Sequence, residues 1–514
     1  MTSLVEALII FPAVVALFLA LLPKSSSKAI TQSITTVAMV ALLIAAAVIA
    51  VTFKAGFSGY QFVSSYSWIP AFGISWKMGV DGISLFLVVL TAVIFPIAYI
   101  GAGEKGNSKS FAAWLLLLEA ACFGSFLSID LFAFFVTFEL TLIPAYFIIG
   151  SWGYEKSGPA AIKFFIYTFL GSALLLVGML ALVFIHASQG HPITFDITKL
   201  TNTTMASSTE KWLFAAFTAA FAVKAPMFPF HTWSPDAYRQ SPTAGVMVLA
   251  AVMAKLGTYG ILRFDLSLFP HATIAFTPLI LTLAVIGIIY GAIVAAGEKD
   301  VKRMLAYSSL SHMGFIILGI FGLTSIGAAG GVLQMINHGI YTAALFLLVG
   351  YLYAKTDIFD MSKMGGLQKK LPILAGIFTL FVMASVGLPG LSGFVGEFMI
   401  LLGTFSGHRW WAVVGATGVI LSAVYMLWSY QQIFHGSKEM ALAEDSTSKS
   451  LDLSVRQISV LAPLVLLVVL VGVYPRPLLS RITPSVNALI SHVDAAKNAP
   501  AAIAKLNVSG KVTH

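Results

Sequence analysis

Apolar stretches of roughly 18 residues or more follow one another along almost the whole chain, each long enough to cross a hydrocarbon core of about 30 Å as a helix. The pattern predicts fourteen spans, at residues 4–22, 29–53, 82–101, 111–128, 130–150, 161–185, 212–232, 242–264, 273–296, 303–323, 328–353, 372–405, 410–434 and 457–474. The expected fold is an all-α membrane protein of about fourteen transmembrane helices, with no room for a folded extramembrane domain. The first span carries Glu6 where a signal peptide would start basic, and no small-residue cleavage site precedes Pro23, so it reads as a retained helix.

Two spans are interrupted. The seventh runs Phe221-Ala-Val-Lys224-Ala-Pro226-Met-Phe-Pro229-Phe-His231, with two prolines just after a lysine. Each proline removes a backbone donor, and inside lipid the freed carbonyls must find partners or line a cavity. The twelfth contains Gly387-Leu-Pro389-Gly390-Leu-Ser392-Gly393-Phe-Val-Gly396-Glu397 and is too long for one straight crossing. Broken helices five spans apart predict a duplicated unit. Residues 111–266 would form the first repeat, helices four to eight, and 273–434 the second, helices nine to thirteen. An odd helix number makes the repeats inverted. Residues 1–110 then form an N-terminal three-helix segment, and 435–514 a loop, a last helix and a tail.

Composition sharpens the class. The chain is 58% hydrophobic and 10% charged, with a mean hydropathy of +0.92, against about 25% charged residues in soluble domains. Its single cysteine, Cys122, falls inside the fourth span, which excludes an intrachain disulfide, a cysteine zinc site and iron-sulfur ligation. Walker A, GxGxxG after a strand, HExxH and CxxC patterns are all missing, so no nucleotide, metal or cofactor site is expected. Most of the 30 lysines and arginines fall in loops after odd-numbered spans, among them Lys24, Lys28, Lys105, Lys109, Lys299, Lys302, Arg303, Lys369 and Lys370. Basic loops stay cytoplasmic, so both termini are expected on the outer side. The net charge of +9 follows from this bias and implies no nucleic-acid partner.

Against this background a few titratable residues stand out in apolar segments: Glu119, Glu139, Lys224, Lys255, His312, His338 and Glu397. An ionisable group at the bilayer centre costs roughly 2.5 to 3.5 kcal/mol on insertion scales, so it persists where it is paired, hydrated or used. Burial and pairing shift the proton affinities of lysine and glutamate in opposite directions, so opening or closing a pair can change which group holds a proton. Histidine titrates near neutrality unaided. Together the seven suit a proton relay. Plainer roles stay open: Glu139 with Lys224 as a structural clamp, Lys255 snorkelling to the surface, His312 and His338 as packed core histidines, Glu119 as a buried structural acid. Asp81, at the start of the third span, is explained by helix capping.

Several segments carry a resemblance: Gly79-Val-Asp81-Gly-Ile-Ser-Leu85, Phe138-Glu139 through Pro144, Lys224 through Trp233, Asp300 through Ser309 with His312-Met-Gly314, Asn337-His338-Gly, and Gly387 through Glu397. Over nearly its whole length the chain resembles the antiporter-like membrane subunits of bacterial NADH-quinone oxidoreductase, respiratory complex I. Glutamate at position 397 is similar to the M-subunit branch, the counterpart of mitochondrial subunit 4, where the L and N relatives carry lysine. The chain also ends soon after the fourteenth span, without the long lateral helix of subunit L. The resemblance implies a multi-pass protein of the bacterial inner membrane. Its partners would be other membrane subunits, above all neighbouring antiporter-like ones, while NADH, FMN, iron-sulfur clusters and quinone would reside in partner subunits. It further implies that quinone reduction elsewhere drives Glu139 and Lys224 as an input switch, Lys255 as central relay, His338 and His312 as bridges, and Glu397 as terminal group. The family's loop after the seventh span commonly reads HTWLPDAHxEAPT, whereas this chain has Ser234, Tyr238, Gln240 and Ser241, so that loop is not assigned to proton uptake. The rival readings are a subunit of a multisubunit sodium/proton antiporter and a membrane scaffold without transport.

Overall fold

The computed structural model describes residues 1–23, 27–101, 103, 108–436 and 452–498; Lys24 and Lys105, used for the orientation, lie outside the described residues. Two helices open the chain, α1 (Thr2–Leu21) and α2 (Lys28–Thr52). An antiparallel hairpin of β1 (Gln61–Ile69) and β2 (Ile74–Val80) follows, turning through Pro70–Phe72 and a left-handed Gly73 at φ 66°. Then come α3 (Leu85–Gly101), α4 (Lys109–Leu127), α5 (Leu131–Leu140), α6 (Leu142–Trp152), α7 (Ser157–Ser188), α8 (Ser207–Lys224) and α9 (Ser234–Gln240). Next are α10 (Thr243–Leu268), α11 (Pro270–Gly297), α12 (Val301–Phe321) and α13 (Ser325–Thr356). The chain continues through α14 (Pro372–Val386), α15 (Ser392–Gly407), α16 (Arg409–Phe434), α17 (Val455–Val473) and α18 (Arg476–Asn498).

Eleven helices among the described residues, counting α5 with α6 as one, are long and apolar enough to cross a membrane. The remaining three expected spans depart for visible reasons. The third is shortened to the 17 residues of α3, the seventh carries Glu210, Lys211 and Lys224 in α8, and the twelfth is split into α14 and α15 of 15 and 16 residues. Both expected interruptions are present. In the seventh span α8 stops at Lys224 and the chain turns through Pro226 and Pro229 before α9, with the Trp233 indole donating to the Val223 carbonyl (2.9 Å) freed by the break. In the twelfth, Gly387 at φ 82° ends α14 and Gly390 at φ 91° turns the chain into α15; left-handed backbone is inexpensive only for glycine.

The helices α10, α12 and α13 form the centre, almost wholly enclosed, while α1, α2, α7, α16 and α17 present large apolar side chains outward. That is the distribution expected when lipid replaces water outside the bundle. On one face the span pattern had shown nothing, yet the hairpin and α18 build a small layer there. Ile482, Val486, Ile490 and Val493 recur at helical spacing and are all buried, so α18 is amphipathic and lies on the bundle without crossing it. It seats on Gly82, where a Cβ would come 1.9 Å from the Arg481 carbonyl oxygen; Ser485 accepts from the Gly82 N–H at 3.0 Å and donates to the Ser58 carbonyl at 3.1 Å. Lys77 of β2 pairs with Asp196 at 2.7 Å, tying the hairpin to the loop after α7. On the opposite face a cavity of about 770 Å³ opens between Lys163, Asp236, Arg239, Asp300 and Arg303, and the pairs Arg239–Asp300 and Arg303–Asp236 cross-link α9 to the start of α12.

Candidate proton-transfer site

Lys255 sits near the middle of α10 between two π-helical turns, Leu249–Met253 and Ile261–Asp265. Such turns displace the hydrogen-bond ladder and concentrate at functional positions. The lysine is fully buried and does not snorkel: its Nζ donates to the Ala250 carbonyl at 2.6 Å and meets Nδ1 of His338, on α13, at 2.5 Å. The other ring nitrogen of His338 contacts the Thr342 hydroxyl at 3.2 Å. The His312 ring, on α12, lies 5.6 Å away centroid to centroid. Its Nδ1 contacts Oε1 of Glu397 at 3.1 Å, and its Nε2 contacts the Ser385 hydroxyl at 3.1 Å. Lys255, His338, His312 and Glu397 therefore form one buried row from the first repeat into the break between α14 and α15.

Lys224 and Glu139 are near each other and sense each other's charge, but among the described residues no direct ion pair joins them. The Lys224 ammonium instead donates to the Thr141 hydroxyl at 2.7 Å and lies over the Phe138 ring at 4.6 Å. Thr141 sits at the junction of α5 and α6. Oε1 of Glu139 is buried without a hydrogen-bond partner, and its carboxylate faces Ser172 of α7. The tip of α8 reaches the Lys255 region because Gly257 allows it: a Cβ there would stand 2.5 Å from both the Phe221 carbonyl oxygen and the Ala225 nitrogen. Glu119, fully buried in α4, has neither oxygen hydrogen-bonded and is not joined to the row.

Sequence reasoning passed over several participants. Gln334 donates to Oε1 of Glu397 at 3.2 Å and contacts the Tyr341 hydroxyl at 3.3 Å. Asn337 donates to the Ser392 carbonyl at 2.6 Å, at the first residue of α15. Tyr341 packs its ring 5.5 Å from His312 and 5.4 Å from His338. Their signal was the i, i+3, i+4 and i+7 spacing of Gln334, Asn337, His338 and Tyr341 on one helix face. Asp81 caps the start of α3 as expected, accepting from the Ile83 and Ser84 N–H groups, but it also binds Arg263 at 2.6 Å in a buried pair that capping alone did not foretell.

Residues 128–423 match the family described as NADH:quinone oxidoreductase/Mrp antiporter, transmembrane. The chain belongs to that family. It is 40% identical over 508 residues to NADH-quinone oxidoreductase subunit M of Rhodobacter capsulatus, covering 96% of this chain and 98% of that one. Among solved structures it is similar to a chain of respiratory complex I from Thermus thermophilus with bound NADH, at TM-score 0.86 and 30% identity, covering 96% of this chain and 100% of the other. A chain of the Mrp complex from a Dietzia species shares the fold at TM-score 0.84, with 21% identity over 96% of this chain and 99% of that one.

Proposed function

We infer that this chain is an antiporter-like, proton-translocating membrane subunit, of the M type, in an NADH-quinone oxidoreductase, and that it couples quinone reduction to proton transfer through its buried Glu, Lys and His residues. The observation that carries the reading is the row Lys255–His338–His312–Glu397, in which all three links are contacts or ring approaches between titratable groups deep in an apolar bundle. A row of this kind has no use in a passive brace. Moving one charge against the membrane potential costs about 2.3 kcal/mol per 100 mV, and one unit of pKa change is worth about 1.4 kcal/mol, so a modest rearrangement of charge at one end suffices to push a proton on.

In this reading Glu139 and Lys224 form the input switch. The missing direct contact between them corresponds to the open state, with Thr141 holding the ammonium while the carboxylate waits. Lys255 relays, His338 and His312 bridge, and Glu397 ends the output half; Glu119 is a reserve acid beside α5. Residues 111–266 and 273–434 act as the two repeats, flanked by 1–110 and 435–514. The loops bearing Lys299, Lys302, Arg303, Lys369 and Lys370 face the cytoplasm of a bacterial cell, both termini lie on the outer side of its inner membrane, and the hairpin and α18 cover the outer face. Neighbouring antiporter-like subunits are the partners, and NADH, flavin, iron-sulfur clusters and quinone are handled by other chains. The relative at 40% identity over 96% of the chain supports this over a sodium/proton antiporter subunit.

The test is Lys255→Ala in the complete complex reconstituted in vesicles. Proton translocation per quinone reduced is expected to collapse while the complex still assembles. An unchanged ratio overturns the reading.

A further inference from the structure

Besides Glu119, the row leaves a further fully buried acid outside it. Asp265 closes the second π-helical turn of α10 and is 0% exposed. Its Oδ2 accepts from the Thr218 hydroxyl of α8 at 2.8 Å, while Oδ1 has no partner. Among the described residues no cation pairs with it. Arg263, two residues earlier, is committed to Asp81. Of the neighbouring elements, α8 offers Glu210, whose carboxylate caps the start of α11 through the His271 and Ala272 N–H groups. The α18 layer offers His492, which contacts the Ser267 carbonyl at 3.0 Å. An unpaired carboxylate away from water is far costlier than its neutral acid.

Position gives the acid a use. Asp265 lies ten residues beyond Lys255, about 15 Å along the helix toward the face covered by α18, and Thr218 lies about 9 Å toward that same face from Lys224. Between Lys224 and Asp265 stands a phenylalanine cluster. The Phe134 and Phe264 rings are 4.4 Å apart, Phe221 and Phe264 are 5.8 Å apart, and Phe217 and Phe269 close the lower side at 5.1 Å. Gly260 leaves room for Phe221, since a Cβ there would come 2.4 Å from the ring. The acid thus sits beyond an aromatic seal, one turn from the outer end of its helix.

We propose that Asp265 is a proton-holding residue for a second release branch, serving the first repeat directly on the α18 face. In the release step the O–H bond of the Asp265 acid breaks and the proton passes to water at that face, leaving the carboxylate. In the reloading step a proton leaves the Lys224 ammonium, which becomes the neutral amine, and bonds to the Asp265 carboxylate when the phenylalanine rings part. The branch rests on the function proposed above but uses a residue that the row to Glu397 does not contain.

The experiment compares the intact wild-type complex with Asp265→Asn, which keeps an acceptor for Thr218 and removes only the titratable proton. Infrared difference spectra during NADH-driven turnover are expected to lose one protonated-carboxyl band, and the protons moved per quinone reduced should fall with quinone reduction unchanged. Thr218→Val is expected to keep the band but shift it upward, since the carboxyl loses its hydrogen bond. Should Asp265→Asn fail to assemble, this shift is the deciding readout, and its absence overturns the proposal. An unaltered spectrum overturns it, as does a lost band with an unchanged proton ratio, which would mean an acid present but idle. A normal proton ratio in Lys255→Ala would sink the row to Glu397 instead and leave the Asp265 band in place, so the two failures are distinguishable.

Discussion

Nζ of Lys255 and Nδ1 of His338 approach to 2.5 Å inside a fully buried segment. An ammonium offers only donors and a protonated imidazole offers only donors, so the two cannot both carry a proton on the facing atoms. One partner donates and the other accepts. His338→Ala removes the acceptor and leaves Lys255 with the Ala250 carbonyl alone. Proton translocation by the assembled complex is expected to fall by about 100-fold or more, in line with losing a positioned proton-transfer group; His338→Gln, which restores a hydrogen-bonding group but no titratable one, should not rescue it.

Lys224 is held by Thr141 and not by Glu139, so the proposed switch has an anchor separate from its carboxylate partner. Glu139→Ala and Lys224→Ala are each expected to abolish coupled proton transfer with assembly intact. Thr141→Val keeps both charges and loses one hydrogen bond to a charged group, worth about 1.5 to 3 kcal/mol, so it should slow pumping without abolishing it. Equal losses in all three variants, measured as proton flux in vesicles, would contradict this division.

Gly396 leaves room for Gln334 to reach Glu397. A Cβ at 396 would stand 2.3 Å from Oε1 of Gln334 and 3.2 Å from Nδ2 of Asn337, so Gly396→Ala must push both amides away. Overpacking of this kind costs about 1 to 3 kcal/mol. The expected outcome is a chain that still assembles with pumping reduced roughly as in Gln334→Ala, and the double variant should show little further loss because one interaction has been removed twice.

Lys77 and Asp196 staple the hairpin to the bundle. Burial alone would push the Asp196 carboxyl up, but the Lys77 ammonium and the Thr198 hydroxyl and N–H outweigh it and hold the group below its ordinary value of 3.8. A depressed carboxyl contributes stability that is complete above the unfolded value and disappears only as pH falls through the lower folded one. Lys77→Met should therefore cost about 1 kcal/mol by an amount that stays flat from pH 5 to pH 8. A penalty that changes across that range in thermal unfolding of the complex would contradict the assignment.

How much of this was legible in the chain depends on the kind of residue. Lys255, His312, His338 and Glu397 announce themselves singly, because a titratable side chain inside an apolar run is costly wherever it points, and the fold brings all four together. The interruptions after Lys224 and at Gly387 were equally plain, since proline and glycine act locally. The state of Glu139 and Lys224 was not, because it turns on which of two oxygens a flexible lysine reaches, and Thr141 is an ordinary residue in sequence. Gln334 and Tyr341 were hidden for the same reason. The hairpin and α18 were missed because neither contains an unbroken apolar run. Their hydrophobic residues face one side only, and a reading tuned to long apolar stretches passes over them.

One joint in the row differs from the others. Every ring nitrogen of His338 and His312 already has a partner on its own side, Lys255 and Thr342 for one, Glu397 and Ser385 for the other. No nitrogen is left for the neighbouring imidazole. A charge can therefore rest on either flank without draining across, and passage requires a ring to let go of its hydroxyl and swing. In the proposed relay this joint acts as a turnstile and not as a wire, passing discrete, clocked events and staying shut against backflow between them.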